Sequence, residues 1–166
     1  MDILESDGFL YDQRRCKGMR YGWTDSSKTG CGWIACYNLL HLIGYDYSPD
    51  AVCKTMAAWL PFGGFIGTHV LPLFLWLRKH TPLRIALISN HTPVRLKSCK
   101  GGIIWYFTGK GLHFATFSNC EHGKFHFFNA VYGAKNLRCS LPSFRKLYCS
   151  FPFVVVFYVP GRVKHR

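Results

Sequence analysis

Thr29-Gly30-Cys31-Gly32-Trp33 stands where a polar, weakly periodic stretch gives way to an apolar run of helical spacing. A cysteine at a helix N-terminus meets the positive end of the macrodipole and N–H groups that have no intrahelical acceptor. Both lower a thiol's pKa and favour the thiolate, which is the nucleophile. Gly30 and Gly32 would leave the sulfur open to a substrate carbonyl and to backbone donors. Such a nucleophile needs a base and a group that orients the base. His113 lies in Leu112-His-Phe-Ala-Thr-Phe117 and Asn129 in Phe127-Phe-Asn-Ala-Val131, either side of a turn near residues 119–123. Two antiparallel strands joined there make them near cross-strand partners on one face, about 5 Å apart at the backbone. The Asn129 amide would then accept from one imidazole nitrogen and fix which nitrogen faces the thiol. Each residue also has a plainer reading: a buried structural cysteine at a helix start, a strand histidine satisfied by a neighbour, a polar strand-end asparagine. Among other histidines, His126 alternates to the opposite face, His122 is in the turn, and His41 and His69 read as cap or core residues. Cys36 reads as core.

The elements that must position these residues follow from periodicity. Trp33, Cys36, Tyr37, Leu40 and Ile43 recur at helical spacing and predict a buried helix closed by Gly44. Ser48-Pro49-Asp50 is a helix start with Ser48 as N-cap and Pro49 in the first turn; Pro61 ends that helix. A third helix is expected from about Thr68 to His80, with Pro72 tolerable in its first turn. From residue 82 the period becomes two, giving strands at 83–88, 103–107, 112–117 and 125–131. A short helix at 141–149 and a last strand at 153–159 complete the pattern. Helices followed by a meandering antiparallel sheet make an α+β domain whose helices pack one sheet face. No linker interrupts it, so residues 1–166 read as one domain with 1–20 as a lead-in segment.

The 166 residues are 49% hydrophobic and 17% aromatic, enough apolar surface to exclude whole-chain disorder. No apolar run, the eight residues Val70–Leu77 included, approaches the ~20 residues of a membrane-spanning helix. Net charge is +13 and uneven: residues 1–50 carry −2, whereas 51–166 hold 16 basic residues and only Glu121 as carboxylate. Such a field attracts anionic surfaces, so an acidic partner is an expectation. The basic residues are scattered and form no nucleic-acid motif, so nucleic acid is not expected. Eight cysteines lie below the disulfide-scaffold range and show no C-x-x-C or zinc-type spacing. The acidic N-terminal stretch lacks a basic n-region and an apolar h-region. Reduced thiols in a cytoplasmic protein, with no metal and no cofactor, are therefore the default.

A Cys-Gly opening a buried helix, two further helices, then His and Asn on successive strands resembles the papain-like cysteine peptidase superfamily. By length and order the chain is most similar to the branch of bacterial double-glycine leader peptidases and related small bacterial proteins, over roughly residues 20–160. The resemblance implies a papain-like fold, with Cys31 as nucleophile, His113 as general base and acid, and Asn129 as the orienting residue. It also implies attack on a peptide or related amide carbonyl, an acyl-enzyme, and hydrolysis. Such enzymes usually carry a glutamine about six residues before the cysteine that donates to the oxyanion. Here that position is Asp25, a carboxylate that would repel an oxyanion, and a lost donor costs roughly 10²–10³ in rate. The oxyanion and substrate candidates are accordingly Asp25, Thr24, Gly30, Gly32 and Trp33, with Tyr21, Ser26 and Ser27 as further hydroxyls; this leaves room for a slow, specialised or degenerate enzyme. Two other readings remain: acyl transfer on the same scaffold, as in transglutaminase-like enzymes, and a non-catalytic module or polyanion-binding domain offering Trp105, Tyr106 and Phe107 for stacking.

Overall fold

A computed structural model of the chain describes residues 3–64, 67–87, 96–108, 111–119, 124–130, 137–140 and 155–161. Its centre is a helix that is apolar all round and is therefore enclosed on every side. This is α2 (Cys31–Leu42), in which every residue from Gly32 to Leu40 is buried. The short α1 (Ser26–Thr29) leads into it through Gly30. Helix α3 (Pro49–Ala57) starts as the sequence predicts: the Ser48 hydroxyl accepts from Ala51 N–H, and Pro49 takes the first position, where no N–H is needed. Helix α4 (Val70–His80) begins two residues later than expected. Gly67 is left-handed (φ 76°) and His69 is still extended (φ −86°, ψ 149°), while the Thr68 hydroxyl between them is bonded to Tyr21 Oη at 2.9 Å.

Strands β1 (Arg20–Tyr21) and β2 (Thr24–Asp25) form a small ribbon just before α1. The main sheet contains β3 (Arg84–Leu87), β4 (Cys99–Phe107), β5 (Leu112–Asn119), β6 (Lys124–Phe128), β7 (Leu137–Ser140) and β8 (Val155–Pro160), all antiparallel, in the order β3-β8-β4-β5-β6-β7. This departs from the expected meander: the last strand inserts between β3 and β4. The Val155–Val159 stretch, apolar at nearly every position, marks a strand covered on both faces, which an edge strand would not be. β7 also went unread in the sequence, whereas the helix expected at 141–149 lies outside the described residues.

The sheet is buried on both faces, not on one. On the α2 side Ile103, Phe114 and Phe157 join Trp33, Ile34 and Leu40; on the other side Ile104, Ala115, Phe117, Phe125, Phe127 and Val156 form a second apolar cluster. Thr116 Oγ1 donates to the Ala35 carbonyl at 2.7 Å and fixes helix to sheet. The lead-in segment is a strap across α2. Buried Asn38 pairs with both backbone groups of Leu10 (Leu10 N–H to Oδ1 at 3.0 Å, Nδ2 to Leu10 O at 2.8 Å), and Tyr37 Oη donates to the Gly8 carbonyl. His41 joins the strap through the Asp7 carbonyl and the Phe9 ring, a structural use in line with its reading as a cap or core residue. Among the described residues no helix is long and apolar enough to cross a membrane.

Cys16, Cys31, Cys36, Cys53 and Cys99 are free thiols. Burial pushes Cys16 and Cys99 up to about 12 and raises Cys36 and Cys53 as well. An unfolded thiol titrates near 8.5. Above that pH the unfolded chain releases protons that the folded chain keeps, so stability is complete below pH ~8.5 and falls as pH rises toward 12. Each such thiol contributes about 1.4 kcal/mol per pH unit. Thermal denaturation in reducing buffer should therefore show a melting temperature falling steeply above pH 9, and the double substitution Cys16→Ala, Cys99→Ala should flatten that slope. An unchanged slope would refute the assignment.

Candidate active site

Cys31 is the first residue of α2. The helical ladder is interrupted there: Gly30 N–H donates back to Ser26, and the next turn resumes with Ile34 N–H to Gly30. Backbone N–H groups close to the sulfur, that of Phe114 first, favour its thiolate. Desolvation outweighs them and holds the thiol above its ordinary value. This reverses the expected lowering. A helix N-terminus supplies about 0.3–1 kcal/mol, while burial of a charge shifts a pKa by up to 3–5 units. The flanking glycines serve close packing instead of openness. A Cβ on Gly32 would lie 2.1 Å from Thr68 Oγ1, and one on Gly30 would lie 2.5 Å from the Ser26 carbonyl and 2.7 Å from the Trp33 indole nitrogen.

His113 and Asn129 meet, but by a different geometry from the one expected. The β5–β6 ladder is offset by two residues, with Thr116 opposite Phe128, and it ends at that pair. Asn129 therefore lies just past the strand in a left-handed conformation (φ 55°), which asparagine tolerates better than other residues with a Cβ. Its backbone carbonyl, not its amide, meets His113 Nε2 at 2.5 Å. A carbonyl only accepts, so Nε2 carries the proton and Nδ1 is left with the lone pair of a base. Burial lowers the His113 pKa, and the Asn129 carbonyl partly offsets this. His113 is 2% exposed and stands edge-on to the Tyr106 ring. Its chain neighbour Phe114 faces α2 and gives the thiol its N–H. Burial thus favours the neutral form of the Cys31 thiol and of the His113 imidazole.

A cleft of about 350 Å³ opens over Cys31. It is bounded by Lys28 and Thr29 from α1, by Gly67, Thr68 and His69 before α4 and Val70 at its start, and by Trp105, Leu112 and Phe114 from the sheet. His69, at the N-cap position of α4 but making no side-chain cap bond, lines it, although the sequence marked His69 as cap or core. Nothing in spacing could have brought Lys28 to one cleft with Thr68 and His69, because α1 delivers the first and the segment leading into α4 the other two.

The oxyanion and substrate candidates are placed as follows. Asp25 is committed elsewhere: one carboxylate oxygen caps α1 through Ser27 N–H and hydroxyl, and the other accepts from Gly18 N–H at 2.7 Å, which together hold its pKa below the usual range. Trp33 is fully buried, and its indole N–H donates to Ser26 Oγ. Thr24 shares its hydroxyl with Thr29. Gly30 is buried, and Gly32 enters the centre only through its N–H. Tyr21 Oη is bonded to Thr68. No group of three or more metal-ligating side chains occurs among the described residues.

No family model matches the sequence, and no curated protein does. The fold does match a solved structure, the peptidase domain of Streptococcus ComA, a bi-functional ABC transporter involved in a quorum-sensing pathway. The two superpose with a TM-score of 0.60 at 16% identity, covering 86% of this chain and 100% of that one. The fold is α+β and papain-like.

The left-handed backbone at residue 129 separates two substitutions. Asn129→Gly removes only the side chain that accepts from Gln13 N–H. Asn129→Ala removes the same acceptor and adds the left-handed penalty of about 1 kcal/mol. Asn129→Gly should therefore unfold at a higher urea concentration than Asn129→Ala; the reverse order would contradict the backbone assignment.

Proposed function

We propose that the chain is a papain-like thiol hydrolase that cleaves a peptide or related amide bond. The observation supporting this most directly is that the cleft's sulfur receives the N–H of Phe114, while the adjacent His113 is held as the Nε2–H tautomer by the Asn129 carbonyl. In the reaction Cys31 attacks the substrate carbonyl as its proton passes to His113 Nδ1. A C–S bond forms as the carbonyl π bond opens onto its oxygen, and the Cys31 N–H, which has no acceptor in the helix, stabilises that oxyanion. The imidazolium returns the proton to the departing amine as the C–N bond breaks. Water activated by His113 then releases the acyl group and regenerates the thiol. Because the pair rests neutral, the proton moves during attack, which suits an enzyme slower than one holding a preformed thiolate.

The cleft suggests the substrate class. Lys28 and His69 are its ionisable lining groups among the described residues, beside the apolar Trp105, Val70 and Leu112. That combination suits a peptide with a bulky apolar residue next to an acidic one, and the excess of positive charge over residues 51–166 would draw such a peptide in.

Treatment with a peptide vinyl sulfone should give a single adduct on Cys31, and His113→Ala should slow its formation by at least about 100-fold. Adducts spread across several cysteines, or a rate indifferent to His113, would defeat the reading. With a library of peptides, Lys28→Glu should raise KM for acidic members and leave kcat near wild type. Including an amine acceptor in the same assay separates hydrolysis from acyl transfer by product.

A further inference from the structure

Gln13 opens a 3-10 turn (Gln13–Cys16) in the N-terminal strap and is 4% exposed. It is the chain's only glutamine, and it touches both halves of the candidate centre. Its Nε2 donates to the Ser27 carbonyl at 2.9 Å. In an unbroken helix that carbonyl would accept the N–H of Cys31, four residues on; here it receives the Gln13 amide instead, and the Cys31 N–H makes no bond to it. The backbone N–H of Gln13 donates to Asn129 Oδ1 at 3.3 Å. That bond pins the side chain of the residue whose left-handed backbone presents its carbonyl to His113.

Both amide orientations are fixed by their partners. An N–H only donates, so the Asn129 atom facing it is oxygen; a carbonyl only accepts, so the Gln13 atom facing Ser27 is nitrogen. The other two atoms, Gln13 Oε1 and Asn129 Nδ2, are buried without a hydrogen-bond partner among the described residues. Leaving buried polar atoms unmatched costs stability, and such costs concentrate where a side chain is held for geometry.

We infer that Gln13 is a positioning residue, which occupies the Ser27 carbonyl and so keeps the Cys31 N–H out of the helical ladder, and which holds the His113-orienting carbonyl in place through Asn129. The inference rests on the roles given above to Cys31, His113 and Asn129. It assigns two functions to two different parts of one residue: the side chain serves the nucleophile, and the backbone N–H serves the base.

Two substitutions separate these functions. Gln13→Met removes the bond to Ser27 and keeps the N–H. Gln13→Pro removes both, at a position suited to proline: it is the first of its turn, and Asp12 before it is extended (φ −131°, ψ 103°). The turn keeps its own lock, because Asp12 accepts from Arg14 N–H and from the Arg14 guanidinium. Nitrogen-15 and carbon-13 shifts of the His113 ring report its tautomer in the unreacted protein, and the vinyl sulfone rate reports the sulfur. Wild type should show the Nε2–H tautomer. Gln13→Met should keep that tautomer and label Cys31 about tenfold more slowly, whereas Gln13→Pro should lose the tautomer preference and label more slowly still. Wild-type tautomer and wild-type labelling in Gln13→Pro would overturn the inference. Should the wild-type protein fail to label at all, the hydrolase reading falls, while the tautomer comparison still decides whether Gln13 positions His113. If circular dichroism shows Gln13→Pro unfolded, Asn129→Gly breaks the same link, and retention of the tautomer there would equally overturn it.

Discussion

The structure is organised by the need to bury one helix on all sides. A helix with apolar residues all round its axis has no face to offer water, so the chain supplies a cover for each: the sheet on one side, α3 and α4 on others, the strap of residues 7–10 on the last. The strap's backbone would lose its water without replacement, and the Asn38 amide returns both a donor and an acceptor. The candidate centre is a by-product of this enclosure. It sits at the end of α2, where the ladder opens and three N–H groups have no helical carbonyl to meet.

Enclosure also decides the electrostatics. At an exposed helix end the dipole and the free N–H groups would favour a thiolate. Here the loss of water around the sulfur costs more than they return, and the same loss keeps His113 neutral. In the reaction proposed above, each group would need the other to change charge. A proton passing between them creates opposite charges together, which a dry site tolerates better than either charge alone.

Much of this was legible from the residues. The cap at Ser48-Pro49, the helix from Cys31 and the run of strands after residue 82 are local signals and survive folding. The β5–β6 offset was misread by two residues because a turn's length is invisible where no Asn-Gly or Gly-Gly fixes it; the parity was kept, so the correct residue met His113 through the wrong atom. The place of β8 was missed because strand order depends on long-range pairing that no window of sequence contains. The helix-end effect on Cys31 was given the wrong sign, since burial at residue 31 is decided by Thr68 and Phe114, far away in the chain. Gln13 gave no signal beyond being alone of its kind.

The position of β8 has a further consequence, for biosynthesis. Strands β3 and β4 are separated in space by residues 155–160, so a chain emerging from the ribosome completes both of them while the strand that joins them is still unmade. Until it arrives, each presents an unpaired backbone edge that can zip onto a neighbouring polypeptide. Closure of the sheet between β3 and β4 therefore waits on residues 155–160, while β4, β5, β6 and β7 can pair in sequence before them.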